Sequence, residues 1–267
     1  SKGNKKINLF APNVVLASGG FEGNSEMLSH YIGPQAQFIR PVSRGGHYNR
    51  GEGIQMALEA GAASCGDFSS FHAQPVDPRS KDMEPVVLNY SYGLLINESG
   101  SRFTDEAPAL VDSTYEAVTR IIMQQKNGIG FAVFDNKLDD INNWNATVRT
   151  RVAPYQANTL EELASLIQIP LEEFLRTVND FNKACPENQD DFDPLKPDGL
   201  KTDGLALQKS NWSRPLTEAP FRAWPIICSN CFTFGGIKID ERARVINTEG
   251  DVIPGLYAAG EVAGIYY

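Results

Sequence analysis

The sequence predicts an α+β fold in which a mixed α/β segment is inserted into an incomplete α/β sheet domain. Three observations carry this reading. Two short apolar runs, residues 12–17 and 253–257, read as strands at opposite ends of the chain, and each leads into small residues, Ser18-Gly19-Gly20 and Ala258-Ala259-Gly260-Glu261. The stretch between them alternates helical and strand patterns. No Gly-x-Gly-x-x-Gly follows a strand and opens a helix anywhere in the chain.

The run 12–17, Pro-Asn-Val-Val-Leu-Ala, is short, β-branched and continuously apolar, which marks a buried strand. Residues 51–61 carry Ile54, Ala57, Leu58 and Gly61 at i, i+3, i+4 and i+7, a helical face that uses small residues for close packing. Residues 93–97, 98–100 and 101–103 read as a strand, a turn and a returning strand, and 129–134 as a further strand. Thr159 and Glu162 make a capping box ahead of Leu160, Leu163, Leu166 and Ile167. Pro170 then opens a second helix with Leu171, Phe174, Leu175, Val178 and Phe181. Residues 186–201, with four Asp and three Pro, read as a solvated loop. Residues 236–240 and 244–247 read as neighbouring strands that precede 253–257. Strands that stop at Gly and Ala suit a dinucleotide-binding sheet, because ligands lie at strand carboxyl ends and a Cβ would hold the backbone away. The competing reading of these glycines is a structural turn.

At 267 residues the chain has room for one large domain or two, and 42% hydrophobic, 21% charged, 23 Gly and 16 Pro are globular values. The 33 acidic against 24 basic residues give a formal charge of −9, which repels phosphate backbones and anionic lipid and argues against nucleic-acid partners. No apolar run has the length of a membrane span, and no signal-peptide core follows the first residues, so a soluble cytoplasmic protein is expected. Cys65, Cys185, Cys228 and Cys231 are too scattered for a disulfide framework. Cys228-Ser-Asn-Cys231 lacks the second ligand pair a zinc site needs and the strand-then-helix setting of a redox motif. No metal is expected.

Several segments, taken in order, resemble one family. They are residues 14–21 (Val-Val-Leu-Ala-Ser-Gly-Gly-Phe), Gly51-Glu52-Gly53-Ile54 with Ala60-Gly61-Ala62, residues 97–103 (Asn-Glu-Ser-Gly-Ser-Arg-Phe), and Phe234-Gly235-Gly236 followed by residues 254–261 (Pro-Gly-Leu-Tyr-Ala-Ala-Gly-Glu). The pattern is similar to that of FAD-dependent fumarate reductase and succinate dehydrogenase flavoproteins. Residues 66–73, Arg44-Gly45 with Asn49, and Thr114-Tyr115 most resemble the tricarballylate dehydrogenases within it. The resemblance implies a cap, or substrate, domain at 67–230. It is set between remnants of an FAD-binding domain at 1–66 and 231–267, with the phosphate-binding half of that domain missing. FAD is then the cofactor of the parent protein and is held weakly or not at all by this chain, since there is no helix N-terminus for the pyrophosphate. The implied reaction moves a hydride between FAD and a C–C bond of a small polycarboxylate, of the tricarballylate to cis-aconitate type. The alternatives are a fumarate- or ketosteroid-type enzyme of the same superfamily, or a substrate-binding module without turnover. The resemblance leaves room for an electron-accepting partner protein.

By the same resemblance Ser18, Gly19, Gly20, Gly51, Gly53 and Gly260 approach FAD through backbone, and Glu261 accepts a ribityl hydroxyl. His72 is the catalytic and substrate-binding candidate, since an imidazole can carry charge near neutral pH and donate from both nitrogens. Arg44 and Tyr92 are further carboxylate ligands, with an exposed arginine and a core aromatic as the competing readings. Arg102 is read as a brace to Asp105 or Glu106. His30 and His47 are read as surface residues. The departures are specific. Where the family carries its proton-transferring arginine this chain has Leu110 and Val111, and Phe232 replaces a carboxylate-binding histidine. Tyr115 or Asp112 is therefore expected to serve as the base.

Overall fold

The computed structural model describes residues 8–265; the outermost residues of both predicted flanks lie outside it. The strands in chain order are β1 (Val14–Leu16), β2 (Arg40–Pro41), β3 (Ser64–Cys65), β4 (Phe71–Val76), β5 (Leu94–Asn97), β6 (Ile129–Phe134), β7 (Tyr155–Ala157), β8 (Phe221–Thr233), β9 (Gly236–Ile237), β10 (Arg244–Ile246) and β11 (Val252–Ala258). The α-helices are α1 (Ser25–Ile32), α2 (Glu52–Glu59), α3 (Val111–Met123), α4 (Leu160–Ile167) and α5 (Leu171–Ala184). The chain divides into two compact units, one of Ser1–Gly33, His47–Phe71 and Phe232–Tyr267, the other of Pro34–Gly46 and His72–Cys231. Pro34–Gly46 thus goes with the second unit, although the sequence reading places it in the first flank.

In the first unit the two glycine-ended strands from opposite ends of the sequence lie side by side. β1 pairs in parallel with β11, Val14 opposite Leu256 and Leu16 opposite Ala258, and β10 runs antiparallel on the other side of β11. Their carboxyl ends therefore coincide, and the Ala259 N–H donates to Leu16 O across the junction at 3.0 Å. β1 differs from expectation in burial: Val14 is 48% and Val15 63% exposed, because the strand is paired along β11 but none of the described residues covers these two side chains. α1 starts at Asn24, whose Oδ1 accepts from the N–H groups of Glu26 and Met27 while its Nδ2 donates to Arg50 O. α2 falls where the periodicity puts it, with Ile54 and Ala57 buried.

The second unit is built on a six-stranded sheet of order β2-β8-β6-β5, with β4 and β7 also paired to β8. Period-two alternation splits the strand side chains between two cores. Leu94, Ile96, Phe131 and Val133 face α4 and α5, through Leu163, Ile167, Phe174, Val178 and Phe181. Leu95, Ala132, Phe134, Trp224 and Ile226 face α3, through Val118 and Ile122. Sequence reasoning missed β8, since Pro225 interrupts its apolar run, and α3, since Leu110 at its N-cap supplies no side-chain cap. The expected returning strand at 101–103 does not form. Only Arg102 bridges back to Ile96, on the edge of β5 opposite β6, and the Arg102 side chain turns away to Glu106 and Leu207 O. The capping box at α4 forms in a shifted version: Thr159 Oγ1 accepts from Glu162 N at 3.1 Å, and Glu162 Oε2 accepts from Asn158 N. Residues 186–201 hold no helix or strand.

Candidate functional site

A cluster of candidate site residues stands out in each unit. In the first unit the loop after β1 and the turn after β11 meet a third segment, residues 49–51. Gly51 N donates to Gly20 O at 3.0 Å and Gly23 N to Asn49 O at 2.8 Å. Gly20 is buried, and a Cβ there would stand 2.2 Å from both Glu261 Oε1 and Thr233 Oγ1, so only glycine lets the loop lie on those groups. Gly19 at φ +77° lies against the Asn49 amide. Gly260, at φ +75°, has no neighbouring atom within 4 Å of its missing Cβ and is exposed, as is Ser18. Gly51 and Gly53 differ from Gly19 and Gly260, which are half-buried and exposed. Both are buried against protein, Gly51 on Met27 and Gly53 on Ser18 and Val262, so they support the loop from behind.

The acidic members of this cluster were only half visible in the sequence. Glu261 Oε1 accepts from Thr233 N at 2.6 Å and from Thr233 Oγ1 at 3.2 Å. Glu22, 3% exposed, accepts from Asn49 Nδ2 at 3.2 Å, and burial together with the Glu261 charge raises its carboxyl to about 8. Left-handed glycines open to solvent beside a half-buried carboxylate fit the sugar-alcohol chain of a flavin dinucleotide: backbone for close approach, an anionic acceptor for a hydroxyl. Ser18, Gly19, Gly20, Gly260 and Glu261 are the residues that would hold it.

In the second unit His72, on β4, meets α3. The Tyr115 hydroxyl lies 3.0 Å from His72 Nε2, with the rings edge-to-face at 5.7 Å, and Glu116 Oε2 lies 3.7 Å from Nδ1. Consecutive helix positions, about 100° apart around the axis, thus address the two ring nitrogens separately. Arg120, one turn on, donates to Glu116 Oε1 at 2.9 Å. Burial holds the His72 imidazole below its ordinary value, opposed by the Glu116 charge and reinforced by Arg120, so the ring is neutral at neutral pH rather than the cation the sequence reading allows for. Cys228 is buried near Glu116 and Arg120, and burial raises its thiol to about 12, which leaves it unreactive.

Of the residues predicted for catalysis and substrate binding, the fold brings His72 and Tyr115 together and leaves the others apart. Arg44 is exposed on the turn Arg44–Tyr48. Tyr92 donates its hydroxyl to Pro194 O at 2.7 Å, packs on Trp212, and lines a separate cavity of about 490 Å³ with Trp144, Phe192 and Arg214. Leu110 is 43% exposed at the start of α3, and Val111 packs on the core around Tyr90. Asp112 is exposed, whereas Tyr115 stands one helical turn beyond Val111. The brace predicted for Arg102 forms with Glu106, through 2.9 and 2.6 Å bonds, while Asp105 binds Ser210 instead. Glu116 and Arg120 were legible in principle as an i, i+4 pair once Val111, Val118 and Ile122 are read as a helical face.

Residues 2–267 match the FAD binding domain family, and this chain belongs to that family. It is 32% identical to the NADH:acrylate oxidoreductase of Vibrio harveyi over 259 residues, covering 94% of this chain and 24% of that protein. It is 26% identical to the vinyl phenol reductase of Lactiplantibacillus plantarum, covering 94% of this chain and 54% of the relative. The fold matches the open conformation of a flavocytochrome c3 fumarate reductase with a TM-score of 0.73 and 25% identity, over 95% of this chain and 41% of that one. The chain therefore spans between about a quarter and about half of the proteins it resembles here. Relatives of this class are flavin-dependent oxidoreductases of the fumarate reductase superfamily. Among the described residues no helix is long and apolar enough to cross a membrane.

Proposed function

We propose that this chain is the substrate-holding part, and a share of the cofactor-holding part, of a flavin-dependent oxidoreductase acting on a C–C bond of a small polycarboxylate, of the tricarballylate to cis-aconitate type. The observation that carries the proposal is the 3.0 Å contact between Tyr115 and His72, one helical turn beyond the position where the family's arginine is replaced by Val111. Such a reaction needs a proton at one carbon and a hydride at its neighbour. FAD, when bound, supplies the hydride acceptor or donor. In the oxidising direction Tyr115 Oη takes the substrate proton while its own proton passes to His72 Nε2, and the imidazolium so formed is paired with Glu116. The reducing direction runs the same transfers backwards. A neutral resting imidazole is the state that can accept this proton.

The test uses the flavin-loaded full-length protein, mixed anaerobically with tricarballylate, succinate, propionate and a 3-ketosteroid in turn, or with the corresponding alkene after photoreduction. Bleaching of the flavin band by tricarballylate alone is the expected result, with Tyr115→Phe slowing it by about 10²–10⁴-fold. Bleaching by another compound alone transfers the assignment to that substrate class, and an unaffected Tyr115→Phe variant removes Tyr115 from the chemistry.

A further inference from the structure

A neutral His72 carries its one ring proton on either nitrogen, and only one of the two arrangements serves Tyr115. The Tyr115 hydroxyl, 3.0 Å from Nε2, can donate to that nitrogen only when the ring proton is on Nδ1. Glu116 Oε2 stands 3.7 Å from Nδ1, too far for a formed hydrogen bond but close enough for its charge to act on that nitrogen. A negative charge beside one ring nitrogen favours the tautomer that carries its proton there. We propose that Glu116, held by Arg120, is a positioning residue that keeps the His72 proton on Nδ1 and so leaves Nε2 as the acceptor for Tyr115.

The role of Arg120 follows from the same geometry. It donates to Glu116 Oε1 at 2.9 Å, which leaves the other oxygen, Oε2, toward the ring. Glu116 precedes Arg120 by one turn of α3, the favourable order for such a pair, and the side chains are 30% and 29% exposed, so either can be replaced without opening the core. The two charges act on His72 in opposite senses, Glu116 favouring the imidazolium and Arg120 opposing it, and the Glu116 effect is the larger. Glu116 alone would draw a proton onto Nε2 and remove the acceptor. Paired with Arg120, it orders the tautomer while the buried ring stays neutral. On β8 the titratable group near the pair is Cys228, whose thiol is pushed up to about 12 and carries no charge. Among the described residues, the charged groups that act on the ring are thus Glu116 and Arg120, both on α3.

The inference rests on the reading of Tyr115 as the proton-transfer group, and the experiment separates the two. The flavin-free chain has three histidines, so His72 is assigned in nitrogen NMR spectra of histidine-labelled protein by the signal lost in His72→Gln. At about pH 8 the wild-type ring is expected to show the Nδ1–H form, and Glu116→Gln to shift population to Nε2–H. A wild-type ring with its proton on Nε2, or a tautomer unchanged in Glu116→Gln, overturns the proposal without reference to flavin or substrate. Titration adds a sign that a merely structural role would not give. Burial is what lowers the His72 pKa, so loosened packing raises it in any variant. Loss of the Glu116 charge instead lowers it further in Glu116→Gln, while Arg120→Gln raises it. A rise in Glu116→Gln refutes positioning by charge. In the flavin-loaded full-length protein, Glu116→Gln is expected to slow flavin bleaching by about 10–100-fold, the usual cost of losing a carboxylate that orients a histidine, with little change in substrate affinity. Unslowed bleaching in Glu116→Gln beside a slowed Tyr115→Phe refutes the positioning role. The Nδ1–H tautomer in the wild type beside an unaffected Tyr115→Phe refutes the reading of Tyr115 instead and leaves the orientation of His72 in place.

Discussion

Replacing Glu106 by alanine removes the counter-charge of two buried cations in one step. Glu106 is fully buried, accepts from Arg102 Nε and a terminal nitrogen at 2.9 and 2.6 Å, and accepts from Leu95 N at 3.0 Å. The Arg102 side chain is 6% exposed, so its guanidinium loses its ion pair without gaining water. Lys209, 1% exposed with Nζ donating to Gly93 O at 2.6 Å, has its charged form opposed by burial, down to about 8, and supported by Glu106. Breaking a buried pair from one side costs about 3–5 kcal/mol, and a stranded Leu95 N–H about 1 kcal/mol more. That is a large part of the roughly 5–15 kcal/mol that holds a domain together. The three tryptophans, Trp144, Trp212 and Trp224, all lie in the second unit, so urea melts followed by tryptophan fluorescence report on that unit. The pH dependence sharpens the test. Because the folded Lys209 pKa lies below its unfolded value, the folded state binds fewer protons between about 8 and 10.5, and this group's contribution is present at high pH and lost as pH falls through about 8. Without Glu106 that loss deepens at pH 7 and vanishes once Lys209 is neutral. The destabilisation is therefore expected to shrink between pH 7 and pH 10. A shift below about 0.5 kcal/mol at pH 7, within the range of ordinary surface substitutions, refutes the reasoning.

Gly20→Ala forces a Cβ onto Glu261 Oε1 and Thr233 Oγ1 and is expected to cost about 1–3 kcal/mol and to abolish flavin binding, read by thermal melts and flavin titration. Gly260→Ala meets no atom and strains only the left-handed backbone, so its cost is about 1–2 kcal/mol in the same melts; a larger loss than for Gly20→Ala contradicts the packing argument. Thr159→Ala removes the cap of α4 and should lower stability by about 1 kcal/mol, with Thr159→Ser restoring most of it in denaturant melts.

Local signals carried much of the fold. α2, α4 and α5 were legible because each has an apolar face at helical spacing, and α4 and α5 also have start signals at Thr159 and Pro170. β6 and β11 were legible as short apolar runs between turn residues. The segments that were misread all depend on non-local partners. β8 holds a proline and is a strand because β6, β4, β7 and β2 pair with it. Residues 101–103 looked like half a hairpin, yet only Arg102 bridges back to Ile96, because its side chain is drawn to Glu106 and to the distant Leu207 O. β1 has the composition of a buried strand, yet Val14 and Val15 are exposed, since burial depends on what packs over a strand rather than on the strand itself.

The same division runs through the candidate site. The sequence by itself determined the chemistry that could be present: glycines where a backbone must come close, Glu261 after a strand, His72 and Tyr115 as proton-handling side chains, and Leu110 and Val111 in place of an arginine. Only the tertiary structure decided which of these meet. It set Gly20 on Glu261, brought Tyr115 and Glu116 to opposite nitrogens of His72 across 43 residues of chain, and sent Tyr92 to a different cavity. It also buried Glu22, an unremarkable glutamate in the sequence, against the Asn49 amide and within reach of the Glu261 charge. The physical reason is that a side chain's type is a local property, whereas its partner, its desolvation and hence its protonation are set by groups the chain brings together from far apart.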